Sequence, residues 1–230
     1  FNAGGINGGA PVNSENPAFD EETLSQYEFG LRSALWDDRL RLNASLFEGY
    51  WQDIQIGEVI VPGQITTRNA GAARLTGFEL EAAWYPIDGV TLSASGGWLD
   101  IRYVNVGETT AVTLDSELPY APHYSYALGL SYERPMAAGG TLRFRGDYGW
   151  LDDHVTTTDY RLQKKQEAYG LLGARLAYIS ASGRWEASLS GTNLTSEWYQ
   201  LGGFSAALAG IEQGVPSRPR EIGLGVGIRF

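Results

Sequence analysis

Hydrophobic and polar residues alternate with a period of two along most of the chain, the pattern of strands with one apolar and one polar face. In the C-terminal segment, Ile222, Leu224, Val226 and Ile228 alternate with single glycines. No stretch has a convincing helical period, so we predict an all-β fold. The pattern predicts nine strands, over residues 22–36, 39–54, 66–85, 90–103, 123–134, 141–156, 166–180, 184–196 and 218–230.

Three predicted hairpins provide a test of phase, because residues opposite each other in an antiparallel pair lie on the same face. Turns centred near residues 37, 87 and 137 bring apolar residues opposite apolar residues in all three hairpins. The predicted pairs are Phe29 with Leu46, Trp84 with Val90, and Tyr132 with Leu142. The agreement supports the strand assignments.

The connections between strands alternate in length. Those near 37–38, 86–89, 135–140 and 181–183 are short, and those near 55–65, 104–122, 157–165 and 197–217 are longer. Short turns on one side and long loops on the other are typical of a transmembrane β-barrel. A soluble β-sandwich also has alternating strands and is the alternative.

Tryptophan placement favours the barrel. Trp36, Trp84 and Trp185 lie beside short connections, whereas Trp51, Trp98, Trp150 and Trp198 lie near long ones. Indole rings prefer the two membrane–water interfaces, so the seven tryptophans are predicted to form two aromatic girdles. A soluble core would instead place tryptophan in the middle of strands.

Composition excludes several other classes. The 230 residues include 30 Gly, 7 Trp, 13 Tyr and 8 Phe, no Cys, and only two histidines, His123 and His154. We therefore expect no disulfide, no metal site and no resident cofactor. The net charge of −10 argues against a nucleic-acid partner. No apolar run is long enough for a transmembrane helix, and the chain, which opens at Phe1 without a signal-type segment, is interpreted as a piece of a longer protein.

If the apolar face meets lipid, the polar face lines a lumen. Its predicted members are Arg32, Arg41, Glu79, Glu81, Arg143, Arg145, Asp147, Arg175, Glu186 and Arg229. We take Arg143, Arg145 and Asp147 as candidate ligand contacts on this wall. Tyr199, Phe204 and Glu212 are further candidates in the last long loop, since loops on a rigid scaffold commonly carry recognition. The simpler alternative is that these groups only solvate the wall and the loop, or contact a plug.

A catalytic alternative rests on Asp152, Asp153 and His154, which the pattern places near the outer rim, where a carboxylate and an imidazole together could act as acid and base. No Gly-x-Ser-x-Gly sequence supplies a serine nucleophile. We therefore expect the protein not to be an enzyme.

Several stretches, in their order and spacing, resemble the C-terminal part of the barrel of TonB-dependent outer-membrane receptors. They are ETLSQYEFGL at 22–31, RLRLNASLF at 39–47, DIQ at 53–55, NAG at 69–71, GFELE at 77–81, LPYAP at 118–122, GTNLT at 191–195, WY at 198–199, PR at 219–220 and the terminal Phe230. Each stretch alone is weakly diagnostic, but together they extend over nearly the whole chain.

The resemblance implies the last nine strands of a barrel of about 22 strands in the bacterial outer membrane, with residues 1–21 as the remnant of an extracellular loop. It implies uptake of a scarce small ligand, such as a ferric siderophore, with energy from the TonB complex acting through a plug domain that this chain lacks. The remaining implied partners are outer-membrane lipid and the barrel-assembly machinery, for which Phe230 would be the signal. A passive porin-like channel is the alternative.

Overall fold

The computed structural model describes residues 1–7, 18–61, 64–107, 111–157, 165–206 and 211–229. Its strands are β1 (Gly5–Ile6), β2 (Ala18–Phe19), β3 (Thr23–Leu35), β4 (Leu40–Gln52), β5 (Gln55–Val61), β6 (Gln64–Asn69), β7 (Gly71–Trp84), β8 (Val90–Val106), β9 (Tyr124–Pro135), β10 (Thr141–Leu151), β11 (His154–Val155), β12 (Lys165–Gln166), β13 (Tyr169–Ile179), β14 (Trp185–Thr192), β15 (Gln200–Ala206), β16 (Ile211–Pro216) and β17 (Glu221–Ile228). Among these residues, no helix is long and apolar enough to cross a membrane.

Nine of the strands form one antiparallel sheet in the order β3-β4-β7-β8-β9-β10-β13-β14-β17, each strand beside the next of the nine in the chain. All nine predicted strands are therefore confirmed. The other eight form two-stranded hairpins, β1–β2, β5–β6, β11–β12 and β15–β16. The β15–β16 hairpin lies within a connection that the sequence pattern had assigned as a plain loop. The other two are predicted loops only in part, because β6 overlaps the predicted strand 66–85 and β11 lies in the predicted strand 141–156. These three hairpins form a folded layer at the long-loop end of the sheet.

The register of the first hairpin is confirmed, with Phe29 opposite Leu46. The other two predicted registers are wrong by two residues, because Trp84 lies opposite Leu92 and Tyr132 lies opposite Phe144. After Trp84 the backbone leaves β8, and the Tyr85 N–H donates to the carbonyl of Arg39 at 2.8 Å. In the other hairpin, Gly139 and Gly140 have φ of 86° and 83°, which moves the turn one residue later than predicted.

A shift of two residues preserves the face of every side chain, so the register still places the apolar sets together. One continuous row runs Phe29, Leu46, Phe78, Trp98, Tyr124 across five strands. Large side chains on this apolar face are open to the surroundings, with Phe29 73% and Leu224 87% exposed. An apolar surface of this extent requires a covering phase, and a lipid bilayer provides one.

The buried core lies beyond the long-loop end of the sheet and not within the sheet itself. Its members come from two connections and the strand ends beside them, and they are Ile54, Ile56, Ala70, Ala73, Tyr103, Val112 and Leu118. A single sheet has no second layer against which to bury side chains, so the loops supply this core.

Candidate functional site

The polar face carries cross-strand ion pairs near the short turns. Arg143 donates to both carboxylate oxygens of Glu133, at 2.8 Å from Nε and 3.2 Å from Nη2. Arg175 Nη2 donates to Glu186 Oε1 at 2.6 Å. Bidentate geometry fixes the orientation of the Arg143 guanidinium as well as neutralising its charge.

Arg145 differs from these two arginines in its surroundings. It lies directly opposite Arg175, and its Nε is 3.9 Å from the Asp147 carboxylate, longer than a hydrogen bond. Its side chain is 76% exposed. Like charges opposite each other on a sheet repel, so the Arg145 guanidinium is available to an anionic group.

A shallow hollow of about 450 Å³ opens beside Arg145 on the same face. Small residues form much of its floor, including Ala83, Ser93 and Gly129. Charged and polar side chains around the floor are Arg41, Asn43, Glu81, Arg145 and Asp147. The hollow can therefore accept a group that carries both an anionic and a hydrogen-bonding part. Among the described residues, no group of three or more His, Cys, Asp or Glu side chains could hold a metal ion.

The N-terminal segment is fastened to the β5–β6 hairpin by hydrogen bonds. The buried carboxylate of Glu22 accepts from the Gln55 N–H at 2.7 Å and from Asn2 Nδ2 at 2.8 Å. Asn7 exchanges two bonds with the backbone of Thr67, at 2.8 and 2.9 Å. The two pieces of chain therefore form one unit at the long-loop end of the sheet.

A second unit joins the later loops. The Tyr199 ring stacks on Tyr169 with centroids 4.2 Å apart, and Gln166 Oε1 accepts from the Gln200 N–H at 2.8 Å. Tyr120 donates its hydroxyl to the carbonyl of Thr156 at 2.8 Å. Three connections that are distant in sequence, β8–β9, β10–β13 and β14–β17, thus support one another.

Lys165, in the β10–β13 connection, adds a contact to the β8–β9 connection within this second unit. Its Nζ lies 2.7 Å from Glu117 Oε1 and 3.4 Å from Asp153 Oδ2. The hydrogen bond to Glu117 raises the pKa of Lys165 above its usual value.

The predicted ligand contacts fall into two separate groups. Arg143, Arg145 and Asp147 lie together on the polar face of β10, while Tyr199 stacks on Tyr169, which is opposite Leu151 at the far end of that strand. Arg143 is about 26 Å from this end at the usual rise of a strand. Phe204 and Glu212 lie in β15 and β16, and their side chains are outside the described part of the structure.

The tryptophans also divide. Trp84, Trp98, Trp150 and Trp185 lie on the apolar face at its two ends, as the register shows. Trp150 stacks on Tyr126 and Trp185 packs against Tyr178, both with centroids 5.3 Å apart. Trp36 and Trp198 lie beyond strand ends and are 66% and 67% exposed.

Trp51 departs from the predicted girdle. It pairs with Ala73 on the polar face and packs against the buried loop core. The reason is that Trp51 is an odd-numbered residue of β4, and the even-numbered residues of this strand form its apolar face. The terminal Phe230 lies outside the described residues.

The geometry at Asp152, Asp153 and His154 differs from that of an acid–base pair. His154 is buried, and its Nδ1 lies 2.9 Å from the backbone carbonyl of Asp152 and not at a carboxylate. The Asp153 carboxylate is engaged by Lys165. The three residues therefore act as a loop anchor in this arrangement.

Sequence reasoning missed the residues that hold the loop layer together, above all Glu22, Gln166 and Tyr120. Their partners are 33, 34 and 36 residues away, a separation that periodicity does not detect. A signal was present for Tyr120, because the segment LPYAP at 118–122 has the apolar and proline content of a packed turn.

Comparison with known proteins gives a consistent result. The profile of the TonB dependent receptor-like β-barrel family matches residues 1–194. A pesticin receptor of Yersinia enterocolitica is 28% identical over 216 residues, covering 92% of this chain and 30% of the relative. The chain therefore spans about a third of the length of such a relative.

Solved structures share the fold. The ferric yersiniabactin uptake receptor of Yersinia pestis superposes with a TM-score of 0.76 at 22% identity, covering 93% of this chain and 31% of that one. A siderophore receptor of Acinetobacter baumannii gives 0.71 at 18% identity, covering 94% and 30%. The pyoverdine outer membrane receptor of Pseudomonas aeruginosa gives 0.66 at 17% identity, covering 91% and 30%.

The apolar face therefore meets membrane lipid and the polar face lines the barrel interior, with the folded loops on the extracellular side. The chain belongs to the TonB-dependent receptor β-barrel family of the bacterial outer membrane, and it supplies nine antiparallel strands of such a barrel.

Proposed function

We propose that the chain is part of an active-transport receptor that takes up a scarce small ligand, such as a ferric siderophore, with energy from the TonB complex. The observation that carries the proposal is the combination of a lipid-type face, a charged interior wall and a folded extracellular loop layer in one sheet. The names of the similar proteins, several of them siderophore receptors, support this ligand class. The assignment is transport without catalysis.

In this proposal the two groups of candidate residues act at different stages. Tyr199, Phe204 and Glu212 belong to the extracellular layer and contact the ligand on arrival. Phe204 and Glu212 are in the β15–β16 hairpin, and Tyr199 directly precedes it. Arg143, Arg145 and Asp147 act deeper, about 13 to 26 Å along β10 from the extracellular end of the strand. There they contact the plug domain or the passing ligand through charge and hydrogen bonds.

The other partners follow from the same proposal. Residues 1–21 form the remnant of an extracellular loop and residues 22–230 the barrel part, while TonB acts through a plug encoded outside this chain. Phe230 gives the terminal strand the aromatic end that the barrel-assembly machinery would bind by strand pairing.

The decisive experiment is an uptake assay in cells. A strain lacking the receptor gene is supplied with ferric chelates, vitamins or oligosaccharides as the only source of iron, cofactor or carbon. The compound that supports growth of the parent strain but not of the deletion strain identifies the cargo. Uptake is then measured in a strain without TonB. Loss of uptake supports the receptor, and continued uptake along the concentration gradient supports the passive channel.

The extracellular group is tested by removing residues 202–214. We expect weaker ligand binding and slower uptake, because the deletion removes most of the hairpin that carries the candidate contacts. The barrel should still assemble, because the nine-stranded sheet does not include β15 or β16. The amount of heat-resistant barrel in the membrane serves as the control and should not change. Unchanged uptake kinetics would contradict a role for this hairpin.

The interior group is tested by Arg145→Gln, with Arg134→Gln as the matched control. Arg134 makes the same charge change one strand away, but it lies on the lipid-facing side of β9. We expect the first variant to slow uptake and the second to leave it near the wild-type rate. Equal rates for both variants would show that Arg145 has no part in transport.

A further inference from the structure

Charged side chains are confined to two places on the lipid-facing side. Within the nine strands as the structure describes them, the charged residues on this side are Glu48, Arg74, Asp100, Arg102 and Arg134. Arg134 lies near a short turn. The other four lie on β4, β7 and β8 at the extracellular end, where they form a compact group that we call the outer quartet.

The register fixes the level of the outer quartet relative to the apolar band. Arg74 lies directly opposite Arg102, and Tyr50 lies on the other side of Arg74. The apolar row that contains Phe78 and Trp98 lies four residues below, about 9 Å for a strand tilted at 45°. Because tryptophan marks the membrane interface, the two arginines lie in the headgroup layer of the outer leaflet.

Each arginine of the outer quartet has one carboxylate partner and can donate further hydrogen bonds. Arg74 pairs with Glu48 and Arg102 with Asp100, yet the two arginine side chains remain 60% and 68% exposed. A guanidinium carries five N–H donors, and one carboxylate contact uses only part of this capacity. Two such groups side by side also repel each other, a cost that a shared anion would relieve.

We propose that Arg74 and Arg102 together bind a phosphate group of a lipid in the outer leaflet. Arginine matches phosphate in geometry and charge, and Tyr50 beside the pair offers a hydroxyl at the same level. The occupant is a membrane lipid and not a soluble anion, because the site faces outward directly above the band that acyl chains cover. The inference rests on the membrane location and is independent of the transported ligand.

Native mass spectrometry of the intact receptor in non-ionic detergent tests the proposal. The probes are lipid A, a diphosphorylated glycolipid, the same glycolipid after removal of its phosphates, and inorganic phosphate. We expect lipid A to bind about tenfold more tightly than the dephosphorylated form, the ratio expected for one charge-assisted contact. Inorganic phosphate, which has no acyl chains, should not displace it.

Variants separate lipid binding from a purely structural role of the ion pairs. Arg74→Gln with Arg102→Gln should abolish the preference for the phosphorylated lipid, whereas Arg134→Gln at the other rim should retain it. Glu48→Gln with Asp100→Asn breaks the same ion pairs but removes competing negative charge, so it should strengthen lipid A binding. Equal binding of the two glycolipids by the wild type, or weaker lipid A binding in the Glu48/Asp100 variant, would overturn the proposal.

Discussion

For a single residue, the face on which its side chain lies determines the cost of a charge. Leu80 is on the lipid-facing side of β7, between Phe78 and Trp84. Its neighbour Glu81 faces the interior opposite Ser95. We expect Leu80→Arg to make folding into lipid vesicles less favourable by about 2–4 kcal/mol, the cost of arginine near the bilayer midplane. Ser95→Arg, at the same depth beside Glu81, should cost much less. Equal penalties in a vesicle-folding titration of the intact protein would reject the assignment of faces.

Lys165 provides a pH prediction outside the membrane. Hydrogen bonding to Glu117 raises its pKa, so the stabilisation is fully present below the ordinary lysine pKa and is lost as pH rises through the raised value. Because the side chains are about half exposed, the contribution is about 0.2–1 kcal/mol. Proteolysis of the loops should therefore be constant from neutral pH to about pH 9 and increase only above the ordinary lysine pKa. Lys165→Met should remove that dependence, and a variant that keeps it would contradict the link.

Residue roles were predictable from the sequence where the period of two determines them. The charged members of the interior wall, such as Arg143 and Glu79, follow directly from alternation and are placed correctly by the register. Trp51 was not predictable in this way, because nearness to a long loop suggested a girdle while its parity placed it on the other face. Parity is the stronger of the two signals.

Among the elements, turns limited what the sequence could specify. Alternation determines the face of each strand but leaves registers that differ by two residues equally acceptable, since both join apolar to apolar. The choice between them is made by contacts outside the hairpin, such as the Tyr85 N–H that donates to Arg39. The hairpins within the long connections were missed because their stability comes from neighbouring loops.

The β5–β6 hairpin illustrates this dependence and gives a prediction. Glu22→Ala removes the buried carboxylate that accepts from Gln55 and Asn2. Loss of a charge-assisted hydrogen bond of about 2 kcal/mol should accelerate amide exchange in residues 55–69 by roughly 30-fold. Exchange in β8 and β9 should not change.

Glu21→Ala is the matched control for this variant. Glu21 has the same side chain one position earlier, but it is exposed. The control should leave exchange in the hairpin at the wild-type rate. Similar exchange in both variants would show that the Glu22 carboxylate does not hold the hairpin.

For the whole molecule, the fold class and the family could be predicted because both depend on order along the chain. Nine alternating segments with short and long connections specify a meander, and the sequence of family-like stretches narrows the choice further. The extracellular layer could not be predicted in the same way. Its bonds join residues as far apart as Asn7 and Thr67, and no local pattern encodes a contact across 60 positions.

The two edges of the nine-stranded sheet determine what the chain can do alone. In the described residues, β3 and β17 each pair on one side only. Unpaired backbone groups cost several kcal/mol each in hydrocarbon, so these edges need further strands. We therefore expect the 230-residue chain by itself not to form a sealed barrel.

Gel mobility and amide exchange test this expectation together. The separate chain, refolded in detergent or lipid, should give no heat-resistant monomer, while the intact receptor carried through the same procedure should give one. Amides of β3 and β17 should exchange quickly, because each lacks a neighbour on one side, and those of β8 and β9 should be protected by pairing on both. A heat-resistant monomer with protected amides in both edge strands would mean that β3 and β17 pair with each other. The nine strands would then be a complete small barrel, and the proposed place of this chain in a larger receptor would be wrong.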